Sequence, residues 1–96
     1  MSIYQTIKDN KPLILRVCSK YGASNIRIFG SVARKEATED SDIDLIVDMD
    51  DSRTLFDLGG LWEELNSLFN IRIEVFKEKT LKSHIKEAAL KEAIKL

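Results

Sequence analysis

The sequence predicts a two-layer α/β fold, a small sheet with helices packed on it. Three observations predict this. Apolar runs of strand length at residues 26–29, 43–47 and 71–76 alternate with segments whose apolar residues recur at helical spacing, in the order α-α-β-(α)-β-α-β-α. The 96 residues suffice for one domain, 1–96, near the low end of what buries its own core. Hydrophobic content of 44% and charged content of 32% are those of an ordinary globular chain, too apolar for disorder.

Residues 2–9 read as a short helix with Ile3 and Ile7 on one face. Pro12 suits the first turn of a second helix, in which Leu13, Ile14, Val17, Cys18 and Tyr21 keep helical spacing and Gly22 is the stop. Residues 26–29 form a strand that ends at Gly30, and residues 31–35 a tight turn into a short helix. Residues 43–47 form the second strand. Thr54 caps a longer helix running to about Phe69, with Leu55, Leu58, Trp62, Leu65 and Phe69 as its buried stripe. Gly59 and Gly60 cost this helix roughly 1 kcal/mol each relative to Ala. Close packing against the sheet explains them, as would close approach of a ligand or partner. Residues 71–76 form the third strand. Thr80 then caps a last helix, reaching residue 94, with Leu81, Ile85, Ala88 and Ala89 inward.

Composition narrows the function. No apolar run approaches the ~20 residues of a membrane span, and Met1-Ser2-Ile3-Tyr4-Gln5 lacks a signal-peptide pattern. A lone Cys18 cannot form an internal disulfide, which points to the cytoplasm, and its apolar helical setting makes it a core residue. One His and one Cys exclude a His/Cys metal cluster, and His84 lies among lysines on an exposed helix. A net charge of −1 argues against a nucleic-acid surface. Residues 36–51 nevertheless carry eight carboxylates and no Lys or Arg, while residues 77–95 carry six lysines against three glutamates. Such an acidic segment is either a solvated loop or a place where cations sit.

Three pieces carry chemistry. Gly30 closes a strand and Ser31 opens a helical turn, where free backbone N–H groups, a hydroxyl and the lack of a side chain suit a phosphate. An ordinary serine-capped turn reads the same way. Asp42 and Asp44, two apart on a strand, leave one face together, while Ile43, Leu45 and Val47 anchor the other. Their repulsion is relieved by a cation, for which Mg²⁺ with phosphate oxygens is the natural choice; the alternative is a solvated Asp-rich loop. Glu74 alternates with Ile71, Ile73 and Val75. If its strand pairs beside Asp42 and Asp44, Glu74 becomes a third carboxylate, for a second metal or for proton removal; otherwise it faces solvent.

Gly30-Ser31, ten residues, then Asp42-Ile43-Asp44-Leu45 resembles the signature of the DNA polymerase β-type nucleotidyltransferase superfamily. The stretch from Phe29 through Arg34, with Ser41 through Leu45, is similar to its smallest branch, the prokaryotic minimal nucleotidyltransferases, and the similarity extends over nearly the whole chain. The resemblance implies that superfamily's α/β (α+β) fold with a small mixed sheet. It implies Gly30, Ser31 and Arg34 as triphosphate contacts, and Asp42, Asp44 and Glu74 as catalytic residues and ligands of two Mg²⁺ ions. Arg34 also suits an ion pair with Glu36 or Glu39. Two positions depart from the family pattern: Lys35 stands where it often has Gly, and Glu74 replaces the usual Asp, one methylene longer.

The implied reaction is attack of a hydroxyl on the α-phosphate of an NTP, with pyrophosphate leaving. Larger relatives carry a second domain for the acceptor, so a partner is expected to supply it here. The minimal branch commonly works with a helical HEPN toxin, adding AMP from ATP to a tyrosine hydroxyl of that toxin as its antitoxin. The competing reading is a module that neutralises a toxin by binding, its NTP site vestigial; Glu74 favours it, and the intact Gly30-Ser31 and Asp42-x-Asp44 favour catalysis. A stand-alone polymerase or ligand-modifying enzyme fits the size and charge poorly. The helical surfaces suit a homodimer as well as a hetero-complex.

Overall fold

The computed structural model describes residues 3–38 and 40–96. Ser2 of the first expected helix and Glu39, one expected partner of Arg34, lie outside them.

Two helices, α1 (Ile3–Asp9) and α2 (Lys11–Lys20), precede strand β1 (Ala23–Phe29). Pro12 stands in the first turn of α2, and Gly22, with φ +80°, turns the chain into β1. Strand β2 (Ile43–Met49) runs antiparallel to β1, and helix α3 (Leu55–Leu68) crosses over to β3 (Ile73–Lys77), which lies parallel to β2. A 3-10 turn (Glu78–Thr80) leads to helix α4 (Ser83–Glu92) and a two-residue strand, β4 (Ile94–Lys95). The strands form one mixed sheet in the order β3-β2-β1-β4.

The face of the sheet carrying Ile28, Ile43, Leu45, Val47 and Ile73 is buried in one core with Ile7, Ile14, Val17 and Cys18 of the first two helices and Leu61 and Leu65 of α3. Alternation along β2 sends Asp44, Ile46 and Asp48 to the opposite face. There Ile46 is fully buried, with Phe76 opposite it in register and Phe29 and Phe76 edge to face at 5.5 Å. Ala89 of α4 is buried as well, and α4 borders Phe29 along an open groove. The same alternation therefore anchors the strand and frees a carboxylate at its start.

Three expectations for the helices need correction. The stripe of α3 is Leu61 and Leu65, with Leu58 half-buried; Leu55 is 77% exposed, Trp62 45%, and Phe69 only partly covered. Because α3 is apolar on more than one side, two helical phases fit its spacing, and packing selects the second. Thr54 does cap the helix, reciprocated by Asp57 in a capping box. The last helix starts later than expected, because the Thr80 hydroxyl donates to Lys77 O within the 3-10 turn. It also ends at Glu92, where Ala93 turns extended and Ile94 joins the sheet; of the four residues expected inward, only Ala89 is buried, with Ile85 45% exposed. Residues 31–35 form a hydrogen-bonded turn and no helix, since Lys35 at φ +60° breaks the helical path.

The two glycines of α3 differ. A Cβ on Gly60 would meet the Tyr21 ring at 2.6 Å, so packing against α2 requires it, whereas nothing lies within 4 Å of such an atom on Gly59.

Candidate active site

One end of the sheet gathers the motif residues. Because β1 and β2 are antiparallel and β2 and β3 parallel, the end of β1 and the starts of β2 and β3 share an edge. Asp44 stands between Phe29 of β1 and Glu74 of β3 in the ladder, and Asp42 immediately precedes β2. The register thus brings Gly30, Asp42, Asp44 and Glu74 to one place from positions far apart in sequence.

Gly30 takes φ +76°, a conformation that glycine adopts without strain. A Cβ there would stand 2.6 Å from Oδ2 of Asp44. Beyond it the turn closes on itself, with Arg34 N–H donating to Gly30 O at 3.1 Å and Glu36 N–H to Ser31 O at 2.9 Å. Buried Val32 and Ala33 pin this turn to the core.

Asp44 is half-buried, and its carboxyl titrates above the usual carboxylate range. Burial is the main cause, the charges of Asp42 and Glu74 add to it, and Arg34 opposes it. Among the described residues neither Asp42 nor Asp44 has a hydrogen-bond or ion-pair partner. Glu74, although level with Asp44 in the backbone, accepts from Arg72 Nε at 3.0 Å. Among the described residues no three His, Cys, Asp or Glu side chains gather closely enough to hold an ion by themselves. The donors nevertheless suit Mg²⁺: hard oxygens, an Asp44 without a hydrogen-bond or ion-pair partner among the described residues, and two aspartates where this ion ordinarily takes one or two carboxylates plus substrate phosphates.

Arg34 is held by carboxylates, Glu36 at 3.0 Å and both oxygens of Glu92 at 3.0 Å. Glu92 also accepts the Gly30 N–H, at 3.1 Å. Nothing in the sequence marks Glu92; only the β1–β4 register, invisible while the last helix is read through to residue 94, sets it here. Beside it Phe29, Arg34, Ile85, Ala88 and Glu92 line a groove of about 410 Å³, within the range of small-molecule sites. His84 is exposed, and buried Cys18 belongs to the core. Among the described residues no helix is long and apolar enough to cross a membrane.

Comparison with known proteins gives the family and the fold. The model of the nucleotidyltransferase domain family matches residues 11–96. Protein adenylyltransferase MntA of Thermococcus cleftensis is 36% identical over 75 residues, covering 78% of this chain and 76% of that protein. A solved structure provisionally described as a minimal nucleotidyltransferase superposes with a TM-score of 0.87 at 40% identity, over 97% of this chain and 95% of its own. A crystal structure of a toxin–antitoxin with AMP-PNP shares the fold, with a TM-score of 0.77 at 17% identity over 90% of this chain and 71% of its own.

Proposed function

Because this chain belongs to the nucleotidyltransferase domain family, we propose that it transfers AMP from ATP to a hydroxyl, on a tyrosine, of a helical HEPN-type toxin and so acts as its antitoxin. The observation that carries this reading is the close approach of Asp44 to Gly30, which sets a turn suited to phosphate against a half-buried carboxylate that two further carboxylates repel. The relative named a protein adenylyltransferase and the toxin–antitoxin structure with AMP-PNP support the acceptor class and the nucleotide.

In this reading the Gly30 and Ser31 backbone N–H groups and the Ser31 hydroxyl take the triphosphate. Asp42 and Asp44 would hold Mg²⁺, two ions with Glu74 as a further ligand, and the metal would supply charge neutralisation at the phosphates. The acceptor oxygen forms a bond to the α-phosphorus as the bond from that atom to the pyrophosphate oxygen breaks. The hydroxyl proton passes to a carboxylate of the Asp42, Asp44, Glu74 group.

A second reading, a toxin-binding module with a vestigial nucleotide site, draws support from Glu74, whose carboxylate is tied to Arg72. One experiment separates the two. The chain and the product of its neighbouring gene are incubated with ATP labelled at the α-phosphate and Mg²⁺, beside an Asp44→Asn control. Label on the neighbour, absent in the control and matched by an AMP increment in intact mass, is the expected result. A stable complex with no label would establish the binding module.

A further inference from the structure

We infer that Glu92 is a built-in competitor of the nucleotide, occupying with its carboxylate the Gly30 N–H and the Arg34 guanidinium that a phosphate would otherwise take. The inference rests on the proposed nucleotide site and adds a self-occluded state to it.

The contact is set by backbone register. In the antiparallel β1–β4 pair Arg27 faces Lys95 and Ile28 faces Ile94, and Leu96 N–H donates to Ile26 O at 2.9 Å. That pairing fixes the end of α4 beside the end of β1, so that the Glu92 side chain reaches Gly30. There its Oε1 accepts from Gly30 N at 3.1 Å, and both its oxygens accept from Arg34 Nη1 at 3.0 Å. A carboxylate with two oxygens between a free backbone N–H and a guanidinium reproduces the charge and donor pattern of a bound phosphate.

The placement runs against the preference of the helix itself. Glu92 is the last residue of α4, where the helix dipole disfavours negative charge. Arg34 and Gly30 offset that cost only while no other anion claims them. A triphosphate carries more charge than one carboxylate and would displace it, releasing Glu92 towards solvent, to which its side chain is already 31% exposed. The nucleotide then binds only the fraction of molecules in which Glu92 has left, which lowers the apparent affinity by that fraction. Partly exposed ion pairs are modest in strength, so the effect is expected to be roughly three- to tenfold.

The test compares the full chain with Glu92→Gln, which keeps the shape and removes the charge. Titration of ATP with Mg²⁺ by calorimetry is joined to the Gly30 amide resonance in a ¹⁵N–¹H spectrum. The expected result is a Kd for Glu92→Gln lower by roughly three- to tenfold, with the Gly30 amide shifted in the variant before any ATP is added. Nucleotide binding by the wild type with equal or weaker binding by a folded Glu92→Gln would overturn the competition alone. Absence of binding by both would overturn the nucleotide site and the competition with it. Should Glu92→Gln fail to fold, Glu92→Asp, whose shorter reach also breaks the contact, carries the same expectation.

Discussion

Oδ2 of Asp44 stands 2.6 Å from the point where a side chain on residue 30 would begin, so Gly30 and Asp44 fit only as a pair. Gly30→Ala meets two obstacles: a φ of +76°, costing about 1 kcal/mol for an L-residue, and the Asp44 carboxylate. The carboxylate, at the free end of its side chain, can swing away, and that movement is the damage to function. Transfer is expected to fall by about 100-fold, since a displacement near 1 Å suffices for that, while the melting temperature drops by about 4–8 °C. The labelled-ATP assay and a thermal melt read the two effects separately; full transfer by Gly30→Ala would detach this turn from the chemistry.

Asp44→Asn should stabilise the metal-free protein at neutral pH while abolishing transfer. The folded state raises the Asp44 pKa above its ordinary 3.8, so folding favours the protonated form. The stability this group contributes is fully present below pH 3.8 and is lost as pH rises through the folded value. At pH 7 in EDTA the variant is expected to melt about 2 °C higher, an increment kept small by solvent screening. The two curves should converge as the pH falls below 3.8. Adding Mg²⁺ with ATP should reverse the order, and identical melting at pH 7 would deny the carboxylate strain.

Thr54→Ala removes the side-chain acceptor of the α3 capping box, where Phe56 N–H donates to Thr54 Oγ1 at 3.2 Å. A loss of about 1 kcal/mol is expected in urea denaturation. The Thr54 N–H holds the Asp57 carboxyl below the usual range, with Arg53 assisting. That part of the stability is therefore present above pH 3.8 and lost as the pH falls through the lower folded value. An unchanged urea midpoint for Thr54→Ala would show that packing alone fixes the start of the helix.

Cys18 should be inert in the native protein. It is 1% exposed, and burial pushes its thiol up to about 11, leaving little of the reactive thiolate at pH 8. A thiol reagent is expected to react only through unfolding, at a rate that rises with urea. Rapid labelling without urea would place Cys18 outside the core.

How far the sequence could be read followed from how local each signal was. Gly30-Ser31 and Asp42-x-Asp44 lie within a few residues of strand ends, where alternation and glycine declare the geometry, and the structure puts them on one sheet edge. Glu74 was legible as a register partner of Asp44 but not as an acceptor from Arg72, because side-chain direction depends on the neighbour. The phase of α3 was ambiguous, since Leu55, Phe56 and Trp62 are as apolar as the leucines that pack. Glu92 escaped altogether: Ala93-Ile94-Lys95 continues a helical pattern, and only pairing with β1 makes a strand of it.

That final strand also sets an order of events. Gly30 and Glu92 are 62 residues apart, and β4 holds the sheet through two residues at its edge. Long loops close late in folding, and short edge pairings open at a small fraction of the global unfolding free energy. During folding, the three longer strands can therefore assemble before β4 arrives, so a nascent molecule passes through a stage in which Gly30 is bare. In the mature protein the Leu96 amide should exchange with solvent well ahead of that of Ile43, a buried residue whose N–H donates to Arg72 O. The frequency with which the C-terminus frays then becomes the clock on which Gly30 is uncovered.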